Sequence, residues 1–231
     1  MRLEAVPQAT QKWTRLAFER AFMRYGLPEV IRVDNGSPFA SIGPGRLSKL
    51  SAWWITLGIR VEFIRPGKPQ DNGSHERMHR TLKAECCEPA SANGLAQQRR
   101  FERWRKEFNW ERPHESIAQR FPAEVYQASS RRWKSCVTVD LYEPSEKTHT
   151  VDSNGMMYWK GRNWAIGEAF SGLEVAIERN PEPRAKADTA LIRFANVKLG
   201  VIGDNAWGRL RPTASVVPKQ EKSCQKSKRK A

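Results

Sequence analysis

The chain has 231 residues, 39% hydrophobic and 28% charged, with 40 Lys and Arg against 25 Asp and Glu. The net charge of +15 and pI near 10.1 sit on a composition suited to one large or two smaller globular domains, which excludes a wholly disordered chain. No apolar run approaches the roughly 18 residues of a membrane-spanning helix. MRLEAVPQATQKW at the start lacks the apolar core of a signal peptide, so a cytoplasmic location is expected.

The basic excess is spread along the chain. Residues 1–130 carry 21 basic and 14 acidic side chains, and residues 131–231 carry 19 and 11. The last stretch, KQEKSCQKSKRKA, contributes six basic residues and one acid, about a third of the total. A balance this positive in both halves points to a polyanionic partner, with nucleic acid as the first candidate. Cys86, Cys87, Cys136 and Cys224 show no paired CxxC spacing, so reduced thiols rather than a zinc site are expected of them.

In chain order, Thr10 to Tyr25 has helical spacing of Trp13, Leu16, Phe18, Phe22 and Tyr25, and Gly26-Leu27-Pro28 supplies the stop. EVIRV reads as a short buried-type strand ending at Asp34. RLSKLSAWWITLG is a second helix, with Leu47, Leu50, Trp54 and Leu57 on one face. IRVEFI alternates as a half-buried strand, and RPGKPQDNG is a loop. Helices are predicted from about Ser74 to Cys86 and from Leu95 to Asn109, the latter with Phe101, Trp104 and Phe108 on its core side. Strand–helix alternation makes this part α/β. Past the polar linker YQASSRRWKS, the runs CVTVDLY, THTVDSNGMMYW, NWAIG, LEVAIE and ALIRFANVKLGVIG predict a small all-β, barrel-like domain of hairpins. The expected division is 1–132, 133–217 and a disordered basic tail over 218–231.

The triplet Asp-Asn-Gly occurs twice, at Asp34 and at Asp71. Asp34 ends a buried strand, where α/β proteins place ligand-binding groups, although the triplet also forms turns well. Asp71 lies among Pro66, Gly67, Pro69 and Gly73 and reads as a turn former. Glu76 starts a helix with Arg80 and Lys83 at i+4 and i+7, which is either a solvated ion-paired face or a carboxylate whose basic neighbours hold phosphates.

RVDNGSPFA, WWITLGIRVEFIRPGKPQDNGSHERMHRTLKAE and FNWERPHESIAQRFPAEVY together resemble the integrase catalytic core of bacterial insertion-sequence transposases. Those proteins belong to the DDE superfamily, built on the RNase H-like fold. The resemblance covers about Thr10 to Arg132, and the β-rich remainder resembles the C-terminal domain of the same transposases. It implies that three carboxylates hold Mg²⁺ (or Mn²⁺) for phosphodiester cleavage and strand transfer. Asp34 matches the second acid and Glu76 the third, with residues 35–75, 41 in all, between them. The surplus over the family spacing fits in the loop SIGPGRLSK.

The first family acid has no match, because residues 1–33 contain no Asp. The resemblance is therefore to a transposase lacking its N-terminal part, including the first strands and the helix-turn-helix, and inactive alone. A second reading follows from the same gap: a catalytically dead, nonspecific DNA-binding remnant or transposition inhibitor. The partners implied are DNA (transposon ends and target), a homo-oligomer in the complete family protein, and no membrane.

Arg77, Arg80 and Lys83 are the predicted DNA contacts on the Glu76 helix, and Lys160 and Arg162 those in the β-rich part. Trp159 and Trp164 are candidates to touch nucleic acid beside them, whereas Trp53, Trp54 and Trp104 read as core. His75 and His79 read as DNA-facing or solvated, because carboxylate-rich Mg²⁺ sites rarely recruit imidazole. Arg112, Pro113 and His114 read as a structural corner.

Overall fold

The computed structural model describes residues 2–6, 8, 10–65, 73–134, 138–181, 188–203 and 208–211. The chain divides into two compact units, one of residues 1–43 and 47–144, the other of residues 44–46 and 145 onward. The division at 144/145 lies beyond the one expected at 132/133, because Trp133 packs against the first unit's core. The Val139 amide likewise donates to the Thr56 carbonyl (2.9 Å).

In the first unit, α1 (Gln11–Tyr25) ends at Gly26, whose φ of 78° suits glycine and whose amide bonds the Phe22 carbonyl. A Cβ at Gly26 would also lie 2.9 Å from the carbonyl oxygens of Ser129 and Arg131. β1 (Val30–Val33) runs parallel to β2 (Arg60–Phe63), in register Val30 to Arg60 through Val33 to Phe63. Between them comes α2 (Lys49–Thr56), the crossover that a parallel pair requires. The sequence places this helix's start at Arg46, but Arg46 has a φ of 60° and Ser48 begins the helix through a reciprocal capping box with Ser51. Among the described residues, β1 has no strand partner besides β2.

Phe22, Leu27, Val33, Leu50, Trp54, Leu57 and Ile59 form the core over this pair. Trp54 is fully buried and meets Phe18 (4.7 Å between ring centres) and Phe39 (6.0 Å). Arg131 closes the unit from far along the chain. Its guanidinium donates to the carbonyls of Pro28 (3.0 Å), Leu57 (2.7 Å) and Gly58 (3.1 Å), and its own carbonyl accepts the Leu27 amide (2.7 Å).

Two helices that contact each other follow in sequence, α3 (Gly73–Cys86) and α4 (Gly94–Trp110), before a 3-10 turn at Glu115–Ile117 and the short α5 (Pro122–Val125). Asn93 caps α4, its Oδ1 accepting the Ala96 amide at 2.9 Å. α3 and α4 meet through a separate core of Leu82, Cys86 and Trp104, with Met78, Phe101 and Phe108 against it. As expected, Trp54 and Trp104 are core residues.

The second unit contains β3 (Thr148–Thr150), β4 (Met156–Trp159), β5 (Arg162–Ala165), β6 (Glu174–Arg179), β7 (Ala190–Phe194) and β8 (Val197–Ile202). β3, β6, β7 and β8 form an antiparallel sheet in that order, and among the described residues β4 pairs only with β5. The expected barrel is thus not closed among the described residues. The run CVTVDLY supplies no strand over its described residues 138–142, since the Val139 amide bonds the end of α2 instead of a ladder. Lys160 and Gly161, at φ 48° and 77°, turn the β4–β5 hairpin in the left-handed conformation that its twist demands. Val151, Met157, Ile166, Phe170, Val175, Ile192, Phe194 and Ile202 fill the core. Asp71, Asn72, Cys136, Cys224 and the tail 218–231 lie outside the described residues.

Candidate functional site

β1 delivers Asp34 to solvent at its C-terminal end. Asp34 Oδ1 accepts the Gly36 amide (3.0 Å), so the residue does shape the turn that sequence allows it. Oδ2 has no hydrogen-bond partner among the described residues, leaving a carboxylate oxygen directed by the turn yet open to a ligand. Asn35 fixes the same corner from behind. Its Nδ2 donates to the Ile64 carbonyl (3.0 Å), while the Ile64 amide donates to the Val33 carbonyl (3.0 Å). The ends of both strands are thereby locked together, a role for Asn35 that the sequence analysis missed.

Glu76 lies in the first turn of α3, where a carboxylate complements the positive end of the helix dipole. Met78, Leu82 and Cys86 turn one stripe of this helix inward. Glu76, Arg80 and Lys83, at i, i+4 and i+7, are exposed along another stripe. Lys83 has Glu88 at 3.5 Å, but both side chains are largely exposed (73% and 63%), so the pair holds the lysine weakly.

Arg77 points elsewhere. With Met78, Thr81, Phe108, His114, Glu115 and Ser116 it lines a cleft of about 500 Å³ between α3 and the corner after α4. His114 Nε2 is buried there without a hydrogen-bond partner among the described residues, its ring edge-on to Phe108 at 4.5 Å.

His75 and His79 are exposed on α3 with their ring centres 4.2 Å apart. Desolvation first, and then the neighbouring His75, holds the His79 imidazole below its ordinary pKa.

Behind the exposed stripe, Glu85 ties α3 to α4. It accepts from Trp104 Nε1 (2.5 Å) and, bidentately, from Arg112 (3.1 and 2.7 Å). Arg112 also pairs with Glu107 (2.5 Å) and lies over the Trp104 ring at 5.7 Å. The Arg112 hydrogen bond is the main reason the Glu85 carboxyl titrates below its ordinary value, and the same pairs push Arg112 further up. Arg112 therefore does form a corner, as its sequence setting predicts.

Within the second unit, Lys160 pairs with Asp188 (3.0 Å) and stands over Trp159 at 4.8 Å. Arg162 is exposed opposite Trp159 in the hairpin. Trp164 is 3% exposed and donates to the Trp159 carbonyl (3.3 Å), so it is a core residue and not the nucleic-acid contact its basic neighbours suggested. Tyr158, 65% exposed on the hairpin, is an aromatic that the sequence analysis passed over.

Among the described residues, no three His, Cys, Asp or Glu side chains gather where one metal ion could be held. Asp34 and Glu76 thus belong to no such cluster there. No helix of the described residues is long and apolar enough to cross a membrane.

Residues 57–122 match the integrase core domain family, and residues 146–202 match the C-terminal domain of the IS481 family transposases. The chain is 29% identical over 109 residues to the insertion element IS407 uncharacterized 31.7 kDa protein of Burkholderia multivorans, covering 47% of this chain and 37% of that protein. It is 33% identical over 118 residues to the insertion element IS476 uncharacterized 39.2 kDa protein of Xanthomonas euvesicatoria, covering 51% and 32% respectively. The matches thus span about a third of each relative's length. Among solved structures, a chain of the simian T-cell lymphotropic virus intasome in complex with PP2A regulatory subunit B56 gamma aligns at a TM-score of 0.42 and 16% identity, over 87% of this chain and 67% of that one.

Proposed function

We propose that this chain, which matches the integrase core domain family over residues 57–122 and the C-terminal domain of the IS481 family transposases over residues 146–202, is an insertion-sequence transposase chain that serves DNA transposition and bears two of the metal-binding carboxylates. The observation that carries this reading is the placement of Asp34 and Glu76. One is exposed at the end of a strand, and the other begins a helix whose exposed stripe continues through Arg80 and Lys83.

Both donors are hard carboxylate oxygens, which suit Mg²⁺ or Mn²⁺. Bound there, such an ion would supply Lewis-acid stabilisation of the charge developing at a DNA phosphodiester. The chain's own residues do the rest. Asn35 and the Gly36 amide hold Asp34 in one orientation, and α4 holds α3 through Glu85. Arg80 and Lys83 meet the phosphate backbone flanking the scissile position, and Arg77 meets it from the adjoining cleft. Lys160 and Arg162 add backbone contacts from the hairpin, without reading sequence. The setting is DNA in a bacterial cytoplasm, and the complete assembly is a homo-oligomer on transposon ends and target.

A second reading has its own support. Residues 1–33 hold no Asp, and the described residues gather no third acid. The chain by itself would then bind DNA without cutting it and could interfere with an intact relative.

The test uses the 231-residue chain, labelled transposon-end duplexes and Mg²⁺, alone and joined to the upstream strands of an active insertion-sequence relative. Binding without strand transfer is expected from the chain alone, and strand transfer from the joined protein. Strand transfer by the chain alone that vanishes in Asp34→Asn would show that another of its residues completes the site. No strand transfer from the joined protein would leave the binding reading standing and sink the catalytic one.

A further inference from the structure

Residues 75–79 read His-Glu-Arg-Met-His, two imidazoles one helical turn apart with a carboxylate between them in sequence. The DNA chemistry proposed above uses Glu76 and leaves both histidines without a task. In α3 they are exposed, share a face, and bring their ring centres to 4.2 Å. We propose that His75 and His79 form a bidentate imidazole site for a borderline divalent transition ion, of the Zn²⁺ and Ni²⁺ class, on the flank of Glu76.

Geometry and ligand chemistry carry this. Imidazole nitrogens bind Zn²⁺ at about 2.0–2.1 Å, so two of them at a tetrahedral angle lie about 3.3 Å apart with ring centres about 5 Å apart. Opening the observed contact by about 1 Å reaches that arrangement through side-chain rotation, both residues being exposed on α3. A rigid helix holds the two ligands one turn apart, so the second bond forms at high effective concentration once the first has formed. Imidazole selects Zn²⁺, Ni²⁺ and Cu²⁺ over Mg²⁺, which prefers oxygen. The ion class therefore differs from the one proposed for Asp34 and Glu76.

Local charge pulls both ways. The helix N-terminus, Arg77 and Arg80 oppose a cation, whereas the Glu76 carboxylate favours one. Two imidazoles leave at least two coordination positions to water, as in sites that stay open to a further ligand.

Titration of the full chain with Ni²⁺, followed calorimetrically, tests the site without reference to DNA activity. Ni²⁺ is chosen because it favours imidazole over the chain's thiols, which would dominate a zinc titration. The wild type should bind one equivalent more tightly than His75→Ala, His79→Ala or the double variant, by about tenfold or more. Mg²⁺ in excess should leave that equivalent in place. Both positions are exposed, so the variants should keep the wild-type circular dichroism, which is measured alongside. An unchanged Ni²⁺ isotherm in the folded double variant would overturn the proposal, as would loss of the equivalent in Cys86→Ala/Cys87→Ala with both histidines present.

Discussion

Removing Arg112 should loosen the helix that carries Glu76 without touching the site itself. The guanidinium makes a bidentate pair with Glu85 on α3, a second pair with Glu107 on the preceding helix α4, and a cation–π contact with Trp104. The side chains of Arg112, Glu85 and Glu107 are 30%, 39% and 47% exposed, so solvent screens both pairs. Two such pairs at about 0.5 kcal/mol each, with about 0.5–1 kcal/mol for the ring contact, give a loss of about 1.5–2 kcal/mol in Arg112→Ala. The Trp104–Glu85 bond survives the substitution and keeps the loss from growing larger. The pH dependence has a defined sign. Arg112 holds the folded-state Glu85 pKa below its ordinary 4.5, so this group's stabilisation is present above that value and disappears as pH falls through the depressed one. Urea unfolding followed by far-UV circular dichroism should therefore separate variant from wild type near neutral pH. The separation should shrink below about pH 4.5. Coincident curves at neutral pH, or an undiminished gap at the acid end, would refute the reasoning.

Other outcomes follow from the same structure. In a protein joined to the upstream strands of an active relative, Asp34→Ala or Glu76→Ala should lower the strand-transfer rate by several orders of magnitude, whereas Asp71→Ala should retain most of it. Affinity for random duplex DNA should fall by about tenfold or more between about 50 and 200 mM salt, measured by fluorescence anisotropy, and a flat salt profile would contradict a phosphate-directed surface. Gly155→Ala should destabilise the second unit by more than about 1 kcal/mol in thermal melts, since φ is 76° and the new Cβ would lie 2.6 Å from the Gly167 carbonyl carbon. Ser48→Ala breaks the capping box of α2 and should cost about 1 kcal/mol in the same assay.

Alternation and spacing made the α/β part readable because its elements bury faces that local sequence encodes. Leu50, Trp54 and Leu57 fall on one side of α2, and Val33 and Ile59 meet the same core. The start of α2 was less legible, since whether Ser48 ends the loop or joins the helix depends on its bond with Ser51. CVTVDLY alternates like a strand, but alternation states only that one side is apolar. Its Val139 amide found the end of α2 rather than a neighbouring ladder, a tertiary choice that no local pattern records. At the candidate site, local sequence predicted that Asp34 would follow a strand and Glu76 would begin a helix, and both elements are there. Trp164 misled because basic neighbours in sequence say nothing of which side of a two-stranded hairpin faces inward. Asn35 was missed for a related reason, its partner Ile64 lying 29 positions away.

The Arg131 clasp has a bearing on how the first unit is made on the ribosome. Pro28, Leu57 and Gly58 are synthesised long before the guanidinium that accepts the task of binding their carbonyls, and Trp133 and Val139 come later still. At about 5–20 residues per second, the 73 residues from Gly58 to Arg131 take roughly 4–15 s to emerge. Throughout that interval the nascent β1–α2–β2 segment has its apolar core only partly covered, and the carbonyls at the end of α2 are hydrated. The first unit is thus completed late and from its C-terminal end, and a nascent chain stalled before residue 131 would present chaperones with an unfinished domain.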